Sequence, residues 1–220
     1  MDSPDGDAST MSTEKRDFDK EAASWDENPA RVKAVKDIAE AIGRQVAITP
    51  DMEVLDFGCG TGLLTLQLQP FVRSITGVDS SRGMLDIFNA KIARLQLAHT
   101  RTLLCDLDKG DTLSGTYDLI VSSMTLHHIK EVTPLLVQFY RSMKPNGYLC
   151  LADLDQDEGQ FHENNTGVFH FGFDRTALRN SFFDAGFTDM GDVTAAEIEK
   201  TVRNGEARRF SVFLLTGRKR

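Results

Sequence analysis

Cysteine, positive charge and long apolar runs are all scarce in this chain of 220 residues. The three cysteines, Cys59, Cys105 and Cys150, are odd in number, widely spaced and form no CxxC pair. That excludes a disulfide framework and a cysteine zinc site, and it predicts reduced thiols in a cytoplasmic protein. No apolar run approaches the roughly 20 residues of a membrane helix, and the opening MDSPDGDASTMSTEKRD has no apolar stretch to serve as a secretory signal. No membrane partner is expected. Lys and Arg number 25 against 33 Asp and Glu, for a net charge of −8 and a pI near 5.1. A phosphate-backbone binder carries the opposite surplus, so no nucleic-acid partner is expected, whereas a cationic small ligand suits the balance. Neither an internal repeat nor a Pro- or Gly-rich linker divides the chain, so one domain with one sizeable core is expected.

What is present is ordinary in amount, with 40% hydrophobic and 26% charged residues, as in a globular protein. Residues 1–17 are acidic, with Met1, Ala8 and Met11 as their only apolar side chains, and read as a disordered tail. Residues 18–220 are then the single domain. Val32, Val35, Ile38, Ala39, Ile42 and Val46 recur at helical spacing. Short apolar runs at 54–57, 75–78, 103–105, 119–122, 148–152 and 211–216 read as strands. Between them, 84–97, a stripe from Val132 to Met143, and 176–185 read as helices, the second stopped at Pro145-Asn146-Gly147 and the third capped by Gly186. This alternation predicts an α/β fold, a doubly wound and mostly parallel sheet with helices on both faces. Ligands in such sheets bind at the carboxyl ends of the strands, near the point where strand order reverses.

The chemistry collects at those ends. In VLDFGCGTGLL a strand runs into Gly58, Gly60 and Gly62 and then directly into a helix. Glycines allow a tight turn and close ligand approach, and a helix start offers free N–H groups to an anion. The spacing is GxGxG, with Asp56 two residues before the first glycine, and not the GxGxxG of dinucleotide binders. Asp79 ends the next strand as GVDSS, where a carboxylate can accept both hydroxyls of a ribose; it could equally cap the following helix. Asp106 closes a third strand, placed to accept from an adenine amino group.

DFGCGTG, VDSS, LLCDL and YDLIVSSMTLHHIK, in this order, resemble the four motifs of the class I S-adenosylmethionine-dependent methyltransferases, and KPNGYLCLAD resembles the following strand of their small-molecule branch, types 11 and 12. The resemblance runs from about residue 18 to the C-terminus. It implies a Rossmann-like sheet of seven strands, the last antiparallel, S-adenosyl-L-methionine as cofactor, and methyl transfer to an O, N or C atom of a small-molecule acceptor. It also implies roles: Asp56, Gly58, Cys59, Gly60 and Gly62 for the methionine end, Asp79 for the ribose, Ser80 or Met84 beside the adenine, and Asp106 and Leu107 on its amino group and ring. Ser122 and Ser123 would pass close to the sulfonium. FDKEAASWD at 18–26 is similar to the family's leading helix, which makes 18–47 a lid region with Phe18 and Trp25 as lid aromatics. Methyltransferases acting on protein or RNA, or a cofactor-binding protein without catalysis, are the alternatives. The SSMT stretch lacks the Asn/Asp-Pro-Pro-aromatic pattern of nucleobase and amide methylation.

For the acceptor side, His127 is the candidate base, its pKa class suited to neutral pH, with His128 packing beneath it. Asp153, at the end of the fifth strand, is a second candidate for binding or deprotonating the acceptor. Residues 154–173 form a long acceptor-side insertion carrying Phe161, Phe169, Phe171 and Phe173; with the lid region they are expected to roof the acceptor pocket, although the alternating aromatics at 169, 171 and 173 also fit an edge strand. His162 and His170, eight residues apart, lack a ligand spacing, and no metal is expected.

Overall fold

The computed structural model describes residues 15–220. Seven strands, β1 (Glu53–Phe57), β2 (Ser74–Asp79), β3 (Thr100–Leu104), β4 (Tyr117–Ser123), β5 (Met143–Leu154), β6 (Thr188–Thr201) and β7 (Ala207–Arg218), form one sheet in the order β3-β2-β1-β4-β5-β7-β6. β1 to β5 run parallel, and β7 is antiparallel to both its neighbours. Among the described residues six α-helices accompany them: α1 (Phe18–Glu21), α2 (Pro29–Gln45), α3 (Leu63–Leu68), α4 (Arg82–Leu95), α5 (Val132–Arg141) and α6 (Arg175–Asp184). The expected doubly wound α/β sheet is therefore the fold.

Local sequence explains the helix starts. Asn28 accepts from the Arg31 amide and is followed by Pro29 at the first helical position, Ser81 accepts from Met84 at 3.1 Å, and Asp174 from Ala177 at 2.8 Å; these caps meet amides left open at a helix end. Strand alternation sorts the core into two layers. Leu119, Val121, Cys150, Ala152, Val212 and Leu214 pack on one face with Ile38 and Ile42 of α2. Ile120, Leu149, Leu151, Phe213 and Leu215 pack on the other with Leu136 and Phe139 of α5 and Phe182 of α6. Each such fully buried side chain contributes about 1.5–3 kcal/mol, so the central strands hold the strand ends, and the site upon them, in place.

Three boundaries differ from expectation. Met143 pairs with Tyr117 as the first residue of β5 instead of ending α5, and Pro145 to Gly147 form an irregularity within that strand, with Asn146 left-handed at φ 66°. β6 was not legible: its AAEIEK stretch carries charge on the solvent side of an edge strand, a pattern without the short apolar run that marks the inner strands. The tail expectation for 1–14 lies outside the described residues, while residues 15–17 are placed against the domain, with Lys15 on Asp106 and Arg16 on Glu21.

Candidate functional site

The carboxyl ends of β1, β2 and β4 open on either side of the β1/β4 strand-order reversal into a cavity of about 1060 Å³. The glycine loop behaves differently from an anion-binding loop. Gly58 and Cys59 amides donate to the Val78 carbonyl at 2.7 and 3.0 Å, Gly62 to Cys59 at 2.9 Å, and Gly60 to Asp79 Oδ2 at 2.8 Å. These donors are spent inside the protein because the loop crosses the end of β2. Of the three glycines, Gly60 alone has room on the cavity side: a Cβ there would meet only Met84 Sδ and Trp25 Nε1, both at 3.9 Å. At Gly58 it would lie 2.2 Å from Thr125 Oγ1, and at Gly62 2.3 Å from the Phe88 ring. Gly62 is outside the cavity lining; its left-handed φ of 84° caps α3. Cys59 lines the cavity as a buried thiol whose pKa burial pushes well up, which makes it a poor nucleophile.

Asp56 and Asp79 face the cavity with no ion pair to a cation among the described residues. Asp56 is 1% exposed, accepts from Thr65 Oγ at 2.5 Å, and is pushed up to about 7 by burial, with the Asp79 charge adding to the effect. Asp79 is also raised by burial, against the pull of its backbone hydrogen bonds from Gly60 and Ser81. A pocket with two under-compensated carboxyls suits a ligand that brings positive charge. The proton held by Asp56 stabilises the fold below the unfolded value near 3.8 and is lost as pH rises through about 7. Asp56→Asn is therefore expected to raise the ligand-free melting temperature at pH 8, by a free energy on the order of 4 kcal/mol at most, and to do nothing at pH 4. Melting scans from pH 4 to pH 8 check this, and a pH-independent difference would refute it. Asp106 behaves otherwise: burial alone would raise it, but Lys15 at 2.8 Å holds it below the ordinary range.

Ser80, Met84, Asp106, Leu107, Ser123 and Trp25 line the cavity as expected for ligand contacts. Ser122 does not, because its hydroxyl is buried and donates to the Phe57 carbonyl at 2.8 Å. Sequence reading missed Arg31, whose guanidinium lies 3.7 Å from the Trp25 ring centroid and donates to the Trp25 carbonyl, with no ion pair to a carboxylate among the described residues. A helix-start arginine looks like any solvated charge until Trp25 places it in the cavity.

At the acceptor side His127 Nδ1 donates to Asp153 Oδ1 at 2.6 Å, while the amides of His127 and Leu154 donate to the same carboxylate at 3.2 and 2.7 Å. Asp153 is fully buried and outside the cavity lining, reached from the cavity only through His127. His127 lines the cavity as expected, but His128 does not pack beneath it: both rings line the cavity, His127 the more buried, and His128 is half-buried, with Nδ1 donating to the Gly167 carbonyl at 2.6 Å and its ring against Phe18. His162 joins them, its ring centroid 5.1 Å from that of His127 and 5.5 Å from that of His128, whereas His170 bonds the Ile129 carbonyl elsewhere. The three clustered rings offer nitrogens within 4.8 Å of one another. No sequence spacing could announce a cluster assembled from two distant segments.

Phe18 and Phe161 line the cavity, but Phe169, Phe171 and Phe173 do not; Phe173 packs on Phe213 of the core and bridges Asp155 in parallel at the end of β5, so the aromatic run is in part an edge pairing, though no full strand forms. Arg16, just before the first roofing segment, meets the second through His162 Nδ1 at 3.2 Å. Asp19 ties the first of them to Ser81 and Gly83 at 2.5 and 2.8 Å, and Asp26 accepts from Thr61 at 2.6 Å.

A family model described as a methyltransferase domain matches residues 28–190. An uncharacterized methyltransferase of Schizosaccharomyces pombe is 34% identical over 161 residues, covering 66% of this chain and 57% of the relative. The trans-aconitate 2-methyltransferase of Deinococcus radiodurans is 34% identical over 132 residues, 56% of this chain and 48% of its own. The chain thus spans about half the length of the curated relatives it matches. In fold it is similar to Haemonchus contortus phosphoethanolamine N-methyltransferase 2, solved with S-adenosyl-L-methionine, with a TM-score of 0.65, 16% identity, and coverage of 82% of this chain and 52% of that one.

Proposed function

This chain belongs to the methyltransferase-domain family, and on that premise we propose that it transfers a methyl group from S-adenosylmethionine to a small-molecule acceptor bound in the same cavity. The observation that carries this reading is the pairing, in one cavity, of under-compensated acids at the strand ends with the His127–Asp153 pair opposite. S-adenosylmethionine, when bound, supplies a methyl group already activated on a sulfonium. The residues fit it. Gly60 leaves room where a Cβ would otherwise intrude, and Asp56 offers negative charge toward a cationic ligand. Asp79 uses one lone pair of each oxygen on backbone amides, which leaves the others for ribose hydroxyls. Arg31, beside Trp25 and with no ion pair to a carboxylate among the described residues, is placed to hold one. Leu107 and Met84 provide apolar surface for the adenine.

The protein's remaining work is to align the acceptor and keep water out. With Nδ1–H on Asp153, the neutral His127 ring keeps its Nε2 lone pair for a proton from the acceptor, and Asp153 steadies the imidazolium that results. The cavity volume, about 1060 Å³, exceeds the roughly 300–1,000 Å³ of typical small-ligand sites, which leaves space for a cofactor and a small acceptor together. The acidic surface and the small-molecule name of the D. radiodurans relative support the same acceptor class.

S-adenosylhomocysteine near 100 times its Kd is expected to stabilise the protein by about 2.7 kcal/mol in a melting assay, and NAD to leave it unchanged. Stabilisation by NAD alone would overturn the proposal. The roof is expected to open for exchange of ligands. Amide hydrogen exchange at 18–26 should slow markedly when S-adenosylhomocysteine is added; equal protection with and without it would mean a fixed wall.

A further inference from the structure

Two histidine nitrogens at the acceptor side are buried and without a hydrogen-bond partner among the described residues: Nε2 of His127 and Nε2 of His162. A buried polar atom left unpaired costs about 1–3 kcal/mol, so this pair is unfinished until something fills it. Their partners on the other ring nitrogen fix what each can offer. The His127 Nδ1 proton is held by a carboxylate, so in the neutral ring Nε2 is an acceptor. At His162 the neighbour of Nδ1 is the Arg16 guanidinium, which can only donate; the proton therefore sits on Nε2, which is a donor. Burial, with the charges of His127, Arg16 and Lys200 adding, pushes His162 down to about 2 and keeps that ring neutral.

We propose that the acceptor atom methylated by this protein is a hydroxyl oxygen seated between His127 and His162. This rests on the methyl-transfer reading above and narrows it. The His127 and His162 rings lie 5.1 Å apart between centroids, and each offers a nitrogen within 4.8 Å of one on the other, close enough for one oxygen to hydrogen-bond both rings. Only a group that both donates and accepts satisfies the two unfilled positions. A hydroxyl gives its proton to His127 Nε2, takes one hydrogen bond from His162 Nε2–H, and keeps its second lone pair for the methyl carbon. An amine has one lone pair, and pairing it with His162 would leave none for the reaction. An ionised carboxylate has no proton for His127 and would face the buried Asp153 charge behind it.

The transfer balances without further reactants. The oxygen lone pair forms the new C–O bond as the C–S bond breaks, and that electron pair stays on sulfur. The hydroxyl proton moves to His127 Nε2 and leaves later to solvent, while S-adenosylhomocysteine and a methyl ether depart. A metal ion on the three histidines is the competing occupant. It would need a lone pair from His162 at the nitrogen that carries the proton, beside the positive charges of Arg16 and Lys200.

Nitrogen-15 NMR of histidine-labelled, ligand-free protein reads the tautomers directly. Nδ1–H at His127 and Nε2–H at His162 are expected; the opposite tautomer at either overturns the proposal, as does stoichiometric zinc binding that His162→Phe abolishes. In parallel, the protein is incubated with deuteromethyl-labelled S-adenosylmethionine and a metabolite extract of the source organism. The labelled product is expected to be an alkali-stable methyl ether. His162→Phe should slow its formation at least tenfold with unchanged affinity for S-adenosylhomocysteine, and His162→Gln, which keeps an N–H donor, should recover part of the rate. A labelled ester or N-methyl product would overturn the hydroxyl proposal alone. No labelled product from protein that still binds S-adenosylhomocysteine would overturn the transfer reading, and the hydroxyl proposal with it.

Discussion

His127→Ala is expected to lower kcat by roughly 10²–10⁴-fold, the range for losing a positioned acid or base, while S-adenosylhomocysteine affinity changes little. The separation is expected because the acids facing the other part of the cavity, Asp56 and Asp79, owe nothing to His127. Their hydrogen bonds come from Thr65, Gly60 and Ser81. Asp153 is a positioning residue, and Asp153→Asn gives the finer test. With its oxygen in the Oδ1 position an amide can still accept from His127 Nδ1–H and the Leu154 amide, at the loss of the longer 3.2 Å bond from the His127 amide, but the charge that steadies the imidazolium is gone. The kcat of Asp153→Asn should fall with KM nearly unchanged. A purely structural role for Asp153 would lower only the amount of folded protein and leave kcat per folded molecule unchanged. Full activity in a folded His127→Ala protein would remove the base from the mechanism.

Gly62→Ala is expected to cost on the order of 3 kcal/mol of folding free energy, combining left-handed strain with overpacking. Its φ of 84° is one that alanine resists, and the added Cβ would sit 2.3 Å from a Phe88 ring that is fully buried and cannot yield. Gly60→Ala is the contrast. Nothing lies nearer than 3.9 Å to its new Cβ, so the fold should lose only about 1–2 kcal/mol to the left-handed backbone, while the methyl group intrudes on the cavity and weakens S-adenosylhomocysteine binding. Denaturant midpoints at constant slope and ligand titration separate the two effects. A Gly62→Ala protein as stable as the parent but unable to bind would return Gly62 to the ligand.

The two glycines are alike in sequence, and only the fold makes them different. The same limit recurs through the site. Periodicity determined the inner strands and the larger helices, because each buries a face whose spacing is local. The ends of β1 to β4 were legible too, since in a parallel sheet the residues that close each strand gather at one edge whatever the helices do, and so Asp56, Asp79 and Asp106 could be named in advance. Edge strand β6 was not named, since it lacks the continuous apolar run that marked the inner strands and alternates Ala196 and Ile198 inward with Glu197 and Glu199 outward, nor was the start of β5 at Met143, where an apolar residue serves helix and strand patterns equally well. Tertiary structure alone decided which partner each polar group meets. It turned the glycine-loop amides inward onto Val78 and Asp79, took Ser122, Gly62 and Asp153 out of the cavity wall, and brought Arg31 in. It also carried His162 across thirty-odd residues of chain to His127 and set Arg16 against it. Hydrogen-bond direction and burial depend on what approaches through space, and the order of residues along a chain does not contain that distance.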